Sequence, residues 1–250
     1  MADIPVSDVR PDIPSEQRAA TPSVTAVVVA HDPGAWFEEA LDSIVTQDYP
    51  RLDVVVVDGT AEGGLDERVR AIAPDATLID ASDTVGFAAA ANTVLETDVE
   101  SAFLLVCHDD VALSSDAVSV LVTEALRSNA GVAGPKLVEW EQPEVLQHVG
   151  FIVDQFAAAA DVIEPDERDQ EQYDRVCDVF AVPTACVLVR TGLFAAIGGF
   201  DPGITRRGED VDFCWRAQLA GARVLVVPDA RVRHRSNLIG RTGVDDIAAP

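Results

Sequence analysis

The sequence predicts an α/β protein with a mainly parallel central sheet and helices on both faces. Short apolar, β-branched runs, typical of strands buried on both faces, alternate with segments whose apolar residues recur at helical spacing. This alternation at short intervals is typical of strand–helix–strand units. The chain has 250 residues, which is enough for one large domain with a substantial core or for two small domains.

The first half of the chain contains four predicted strands, each followed by a predicted helix. A serine, Ser114 or Ser115, caps the last of these helices. The predicted strands are 24–30, 52–57, 76–79 and 102–107. The predicted helices are 34–46, 65–72, 86–95 and 114–127.

After Gly131 the regular alternation ends. An acidic, weakly patterned stretch, 157–175, is predicted to be a surface excursion. Gly221 is the predicted C-cap of the last helix, and Pro228 is predicted to close the last strand. The predicted strands are 132–137, 148–153, 179–189 and 223–227, and the predicted helices are 191–197 and 209–220.

The sequence favours one domain at 23–240. Residues 1–22 are acidic and rich in proline, and we expect a flexible leader there. Residues 241–250 form a tail without a terminating element, so the chain is also compatible with a piece of a longer protein. No apolar run approaches the roughly 18 residues that span a bilayer, and the N-terminus lacks the features of a signal peptide.

Composition excludes several classes of protein. Hydrophobic residues make up 48% of the chain, which excludes a wholly disordered protein. The net charge of −25 argues against a general binder of nucleic acid or of an anionic membrane. The four cysteines are widely spaced and give no sign of a zinc site or a disulfide framework. We expect a cytoplasmic protein.

Polar side chains follow three of the predicted strands. His31 follows the first strand, Asp58 the second, and the triplet His108-Asp109-Asp110 the fourth. Ligands of such sheets bind outside the carboxyl ends of the strands, so Asp58 and the triplet are predicted to lie close together. Oxygen ligands there would suit Mg²⁺ or Mn²⁺ bridging a diphosphate. An ordinary turn explains the triplet equally well, because aspartate is common after strands.

A second set of candidates lies near the C-terminus. Glu209 and Asp210 open a predicted helix, and His234 follows the last predicted strand. Asp210 shares a helix face with apolar residues, whereas Asp212 is placed to pair with Arg216 at the surface. A carboxylate against an acceptor hydroxyl can act as a general base. The helix dipole also favours acids in a first turn, so the pair alone does not decide its role.

The segment before the third predicted helix is a further candidate for ligand binding. Gly86, in the segment Asp83–Phe87, permits close approach of the backbone to a ligand at a helix start, although a plain loop-to-helix junction explains it as well. The chain lacks the dinucleotide fingerprint, the P-loop, the zinc-protease helix motif and the nucleophile elbow.

Taken in order, the motifs resemble an inverting family-2 glycosyltransferase of the GT-A fold, in its rhamnosyltransferase-like branch. The resemblance covers roughly residues 24–235 and is most specific in its last segment. It implies a Rossmann-like sandwich with a nucleotide-binding half at 23–135 and an acceptor half at 136–240. The matching segments are VTAVVVAHDPGAWFEEALDSIVTQDYP, VVVVDGTAEGG, DTVGFAAAAN, LLVCHDDVAL, GPKLV, PTACVLVRTGLFAAIGGFD and GEDVDFCWRAQLAGARVLVVPDARVRH.

The resemblance implies a role for each candidate. Asp210 matches the family's catalytic base, with Glu209 beside it. Asp110 and His234 match metal-binding positions, and His108 stands where the family usually has an acid. The residues expected to bind the nucleotide sugar are His31, Asp58, Asp83, Gly86, Asn92, Asp109 and Asp110.

The implied activity is transfer of a sugar from a nucleoside-diphosphate sugar to a saccharide or lipid-linked acceptor, with Mg²⁺ or Mn²⁺. Cell-envelope polysaccharide or glycolipid synthesis is the expected setting, compatible with peripheral association at the inner face of a membrane. A catalytically silent nucleotide-sugar-binding domain of the same fold is the main alternative. A nucleotidyltransferase is disfavoured because Lys136 is the only lysine, and a dehydrogenase because the glycine fingerprint is missing.

Overall fold

The computed structural model describes residues 21–60, 64–153, 158–205 and 207–236. The predicted leader and tail lie outside these residues, except for Thr21 and Pro22. The carbonyl of Thr21 accepts a hydrogen bond from Arg51 and that of Pro22 accepts one from Tyr49, so the chain enters the domain beside the start of the second strand.

A ten-stranded mixed sheet forms the centre of the described protein, and its main path runs β10-β12-β6-β11-β4-β1-β2-β3. β5 pairs with β12, and β7 pairs with β6. A separate two-stranded sheet joins β8 to β9. The strands are β1 (Val24–Ala30), β2 (Leu52–Asp58), β3 (Thr77–Asp80), β4 (Phe103–His108), β5 (Val111–Leu113), β6 (Val132–Glu139), β7 (Leu146–His148), β8 (Phe151–Val153), β9 (Ala159–Asp161), β10 (Cys177–Asp178), β11 (Cys186–Arg190) and β12 (Val224–His234).

The predicted direction of the sheet is confirmed. β1 is parallel to β2 and to β4, and β2 is parallel to β3. β11 is antiparallel to both of its neighbours, β4 and β6, so β6 points the same way as β4. β12 is parallel to β6. Six strands therefore point one way, and their carboxyl ends share one edge of the sheet.

Helices cover both faces of the sheet, as predicted. Along β1, the side chains of Val24, Ala26 and Val28 pack in one apolar cluster, while Val27 and Val29 pack in the other. Phe37 and Leu121 belong to the first cluster, with α1, α2 and α4. Phe194 and Phe213 belong to the second, with α3, α5 and α6. The helices are α1 (Phe37–Val45), α2 (Leu65–Ile72), α3 (Gly86–Asn92), α4 (Ala117–Arg127), α5 (Thr191–Ala196) and α6 (Glu209–Leu219), and a 3-10 turn, Thr93–Glu96, follows α3.

Two strand predictions in the second half were too long. The predicted strand 179–189 is extended only at Cys186–Arg190. The predicted strand 148–153 is broken at Gly150, whose φ of +92° is left-handed. A side chain at Gly150 would also meet Val179, with a Cβ atom 2.9 Å from Cγ1. The break separates β7, which joins the main sheet, from β8, which starts a hairpin.

The prediction that Pro228 closes the last strand was wrong. β12 continues through Pro228 to His234, with its pairing to β6 shifted between Val227 and Arg231. Proline is tolerated at such an irregularity because no ladder hydrogen bond is required of it there. The continuation carries His234 to the carboxyl edge of the sheet, where β5 pairs with it.

Candidate active site

Three side chains converge at the carboxyl edge of the sheet. His108 ends β4, Asp110 lies between β4 and β5, and His234 ends β12. Oδ1 of Asp110 lies 3.4 Å from Nε2 of His234 and 3.8 Å from Nδ1 of His108. One ligand atom from each residue lies within 4.8 Å of the others. Within the described chain, this cluster has the geometry to hold one metal ion.

The cluster is largely shielded from water. Asp110 is 2% exposed and His234 is 8% exposed. The ring of Phe87 packs edge-on against His108, with centroids 4.6 Å apart. A carboxylate and two imidazoles placed so closely in a buried setting suit a divalent cation, because burial favours pairing of the negative charge with a positive one. Nitrogen and oxygen donors together are compatible with Mn²⁺, whereas Mg²⁺ prefers oxygen alone.

Asp210 lies in the first turn of α6, which begins after Gly208 in a left-handed conformation with φ of +101°. Its Oδ1 accepts a hydrogen bond from the N–H of Val211 at 2.8 Å. Burial raises the pKa of Asp210 to about 6, and the neighbouring Glu209 carboxylate adds to the rise. An acid with this pKa is ionised at neutral pH and holds a proton more readily than an ordinary aspartate.

Glu209 fastens the start of α6 to the sheet. It is 8% exposed, and its Oε1 accepts a hydrogen bond from the hydroxyl of Thr184 at 2.8 Å. Thr184 precedes β11, and the next carbonyl, that of Ala185, accepts a hydrogen bond from the N–H of His108 at 3.0 Å. This chain of contacts places the acidic pair of α6 beside the end of β4.

His148 is a site residue that sequence reasoning missed, because it stood in the sequence only as the start of a predicted strand. Its Nδ1 lies 2.9 Å from Oδ1 of Asp161 on β9. Burial lowers the pKa of His148, and the charges of Asp161, His234 and Asp210 also act on it. The charges of both His234 and Asp210 reach His148, so the cluster and Asp210 both lie near this side chain.

Three loops meet at the ends of β1, β2 and β4. The N–H of His31 donates to Oδ2 of Asp109 at 2.9 Å, and Nδ1 of His31 lies 3.0 Å from the carbonyl of Gly59. Asp58 accepts from the N–H of Thr60 at 2.8 Å. Asp109 is fully buried. Asp109 therefore holds the loop that contains His31, and Asp58 lies at the start of the neighbouring loop.

The remaining candidates lie around α3. Gly86 has a φ of +83°, and a Cβ atom there would lie 3.1 Å from the carbonyl oxygen of Thr205. Asn92 exchanges two hydrogen bonds with the backbone of Phe200, at 2.7 and 2.9 Å. Asp83 is exposed. Asn92 therefore holds the segment that leads to α6, and Gly86 lets α3 approach that segment closely.

Arginines flank the cluster on β12, but acids accompany them. Arg231 lies 3.3 Å from Asp169, Arg233 pairs with Glu39, and Arg235 lies 3.2 Å from Glu141. Two of the guanidinium groups also lie over tryptophan rings: that of Arg233 is 4.7 Å from Trp140, and that of Arg235 is 5.0 Å from Trp36. The positive charge of these three arginines is therefore partly neutralised at this edge of the sheet.

Comparison with known proteins agrees with this architecture. Residues 22–238 match the family model described as glycosyltransferase like family 2. An N-acetylglucosaminyl-diphospho-decaprenol L-rhamnosyltransferase of Mycobacterium tuberculosis is 24% identical, over 92% of this chain and 81% of that protein. A pre-mycofactocin glycosyltransferase of the same organism is 45% identical over 53 residues, which is 21% of this chain and only 11% of that relative.

Solved structures show the same fold. GalNAc-T7, crystallised with UDP, GalNAc and Mn²⁺, superposes with a TM-score of 0.70 at 16% identity, over 89% of this chain and 44% of that one. The mannosyltransferase PcManGT of Pyrobaculum calidifontis, in complex with GDP-Man and Mn²⁺, gives a TM-score of 0.64 at 20% identity, over 88% and 59%.

The match over most of the chain, together with the sheet and the placement of its site, defines a glycosyltransferase domain of the GT-A fold. The chain belongs to glycosyltransferase family 2. The predicted family and fold are thereby confirmed. Within the described residues, no helix is both long enough and apolar enough to cross a membrane.

Proposed function

We propose that the chain transfers a sugar from a nucleoside-diphosphate sugar to a hydroxyl acceptor, with inversion at the anomeric carbon. One observation carries the proposal. The cluster of His108, Asp110 and His234 lies near Asp210, whose pKa is raised to about 6, because the charges of both His234 and Asp210 act on His148. A cation-binding cluster beside a raised-pKa acid is what this reaction requires.

The nucleotide is expected at the edge formed by β1, β2 and β4. His31, Asp58 and Asp109 converge there, next to the cluster. Asp83, before α3, and Gly86, at its start, are also proposed to contact the nucleotide, while Asn92 holds the backbone of Phe200. The solved neighbours bound to UDP and to GDP-Man support a nucleoside diphosphate as the ligand class.

A divalent cation held by His108, Asp110 and His234 would neutralise the donor diphosphate and stabilise the leaving group. The three residues fit this role because their ligand atoms lie within 4.8 Å of one another and two of the residues are nearly buried. His108 replaces the acid usual in the family, so we propose a preference for Mn²⁺ over Mg²⁺.

Asp210 would remove the proton of the acceptor hydroxyl. It is ionised above pH 6, and the negative charge of Glu209 helps to keep its carboxylate basic. The neighbouring buried acids have other partners: Asp109 accepts from the His31 backbone and Glu209 from Thr184. Among these three acids, Asp210 is therefore the one proposed as the base, in a single displacement that inverts the anomeric carbon.

The acceptor is proposed to be a saccharide carried on a lipid, in cell-envelope synthesis. The rhamnosyltransferase relative, whose name specifies a decaprenol-linked acceptor, supports this class. Association with the inner face of a membrane, where lipid-linked acceptors are presented, follows from the same proposal.

The proposal is tested with purified protein, a panel of nucleotide sugars, and Mn²⁺ or Mg²⁺. Expected results are cation-dependent binding of one nucleoside diphosphate by calorimetry and transfer to a lipid-linked acceptor. NMR of the product should show the anomeric configuration opposite to that of the donor. A product that retains the donor configuration would refute the single displacement.

The replacement at His108 favours one alternative, a domain that binds nucleotide sugar without transfer. The same experiment separates the two functions. Tight, cation-dependent binding with neither transfer nor donor hydrolysis, over the whole donor panel, would support the silent domain.

A further inference from the structure

Gln147 holds His234 from two directions. Its Oε1 lies 2.6 Å from Nδ1 of the His234 ring, and its Nε2 donates to the His234 carbonyl at 3.1 Å. Gln147 is on β7, 87 positions earlier in the chain. A side chain that grips both the ring and the backbone of one residue fixes the orientation of that ring.

The surroundings decide which way the Gln147 amide points. Its Nε2 also donates to Oε1 of Glu139 at 3.1 Å. The His234 carbonyl and the Glu139 carboxylate only accept hydrogen bonds, so both must face the NH₂ group. The amide oxygen is then left facing the ring, and since it can only accept, Nδ1 of His234 must carry the proton.

A β-bulge explains how Gln147 reaches the site. Leu137 pairs with His148, yet Val138 pairs with Leu146, so Gln147 is the extra residue on β7. Neighbouring side chains of a regular strand point to opposite faces, and a bulge re-aims one of them. Gln147 contacts His234 directly, while the next residue, His148, lies within the electrostatic reach of Asp210 and His234.

We propose that Gln147 is a positioning residue for the cation. By holding the proton on Nδ1, it leaves the lone pair of Nε2 directed at the position shared with Asp110, whose Oδ1 lies 3.4 Å away. A ligand histidine is commonly fixed in this way by an acceptor on its other nitrogen. The proposal rests on the proposed function in assigning a divalent cation to His108, Asp110 and His234.

The first test replaces the amide without changing the length of the side chain. In Gln147→Met the ring loses its acceptor. Two-dimensional ¹H–¹⁵N NMR of the metal-free protein, with the His234 ring assigned by substitution, reads the tautomer directly. We expect the proton on Nδ1 in the wild type and a shift towards Nε2 in the variant.

The second readout is the affinity for Mn²⁺, measured by calorimetry without donor sugar. Gln147→Met is expected to weaken binding about 10–100-fold. The matched control is Gln218→Met, because the Gln218 amide donates to the carbonyls of Phe180 and Cys214 and contacts no cluster residue. The control should keep its affinity within about twofold.

A rescue separates orientation from general damage. In the double variant Glu139→Gln/Gln147→Glu, the new carboxylate can accept from Nδ1 and from the new amide at position 139, while the hydrogen bond to the His234 carbonyl is lost. Mn²⁺ affinity should then recover to within about fivefold of the wild type. Recovery is not expected if Gln147→Met had merely disturbed folding around β7.

The inference is overturned if wild-type His234 carries its proton on Nε2, if Gln147→Met leaves tautomer and affinity unchanged, or if the wild type binds no Mn²⁺. Failure of the proposed function looks different. A protein that binds Mn²⁺ with the expected tautomer and transfers no sugar from any donor would refute the transferase proposal while leaving the role of Gln147 in place.

Discussion

Asp210 and His108 show how individual residues at this site depart from ordinary surroundings. Asp210 starts a helix, where a negative charge is favoured by the dipole, yet burial and Glu209 raise its pKa to about 6. The two influences oppose each other, and burial is the larger. His108 brings an imidazole to a position where the resemblance leads one to expect an acid. Each feature gives a prediction that a single substitution can check.

Replacing Glu209 by glutamine should extend activity to lower pH. The glutamine oxygen can still accept the Thr184 hydroxyl, so the contact of α6 with the sheet survives. The charge that helps to raise the pKa of Asp210 is removed, and that pKa falls. The acid limb of the kcat/KM profile should move down by up to about 1 pH unit. A limb that stays in place, or moves up, would contradict this role for Glu209.

Replacing His108 by aspartate should change the choice of metal. Exchanging one imidazole for a carboxylate gives the cluster more oxygen donors, which Mg²⁺ prefers. We expect the ratio of Mg²⁺ to Mn²⁺ affinity, measured by calorimetry with a nucleoside diphosphate, to rise at least about fivefold. An unchanged ratio would exclude His108 from the cation site.

At the scale of elements, strand ends and one buried ion cluster organise the site. β12 brings His234 to the site only because it continues past Pro228, and the bulge in β7 brings Gln147 there.

The acidic stretch after β9 is anchored to the sheet through Lys136, which is 3% exposed. Its Nζ lies 3.0 Å from Asp169 and also pairs with Asp174. The predicted surface excursion is thus fastened to β6.

Removing the anchor should cost stability. Lys136→Met leaves the Asp169 carboxylate, whose side chain is 8% exposed, without its nearest cation, although Arg231 remains 3.3 Å away. The free energy of unfolding should fall by about 3 kcal/mol in urea titrations. The double variant Lys136→Met/Asp169→Asn should recover part of the loss. No recovery would mean that packing, and not charge, dominates at this position.

Sequence patterns predicted the first half of the fold well because β1 and β4 are buried apolar runs and β2 carries four consecutive valines. The ends of β2 and β4 carry Asp58 and the His108 triplet. The second half was harder to predict, since its irregularities depend on tertiary contacts. Val179 blocks a side chain at Gly150, and β5 extends β12 beyond a proline. His148 and Gln147 escaped prediction for the same reason: only the bulge turns them towards His234.

Across the whole molecule, the site depends on bringing four distant segments to one edge of the sheet. The end of β4 and the turn after it supply His108 and Asp110, and β7 supplies Gln147 and His148. The start of α6 supplies Glu209 and Asp210, and the end of β12 supplies His234. The concentration of buried acids there is unfavourable for folding, since ionising Asp210 in this setting is harder than in the unfolded chain. Activity and stability should therefore conflict at Asp210.

Asp210→Asn should stabilise the protein at neutral and alkaline pH. The pKa of Asp210 rises from 3.8 to about 6 on folding, so ionisation destabilises the folded state as pH increases through this interval. At pH 8 the variant should gain about 1–3 kcal/mol in free energy of unfolding, less the helix-dipole contribution it loses. At pH 4 the two proteins should be nearly equal. A variant less stable than the wild type at pH 8 would show that Asp210 is not strained by burial.

The same substitution gives the most direct test of the account, when it is compared with Asp212→Asn two positions along α6. Asp212 pairs with Arg216 on another face of the helix, at 2.7 Å. If Asp210 is the base, kcat for sugar transfer should fall at least about 100-fold in Asp210→Asn, with cation-dependent nucleotide affinity within about twofold of the wild type. Asp212→Asn should keep most of the activity. Transfer by Asp210→Asn at the wild-type rate would contradict the assignment of the site.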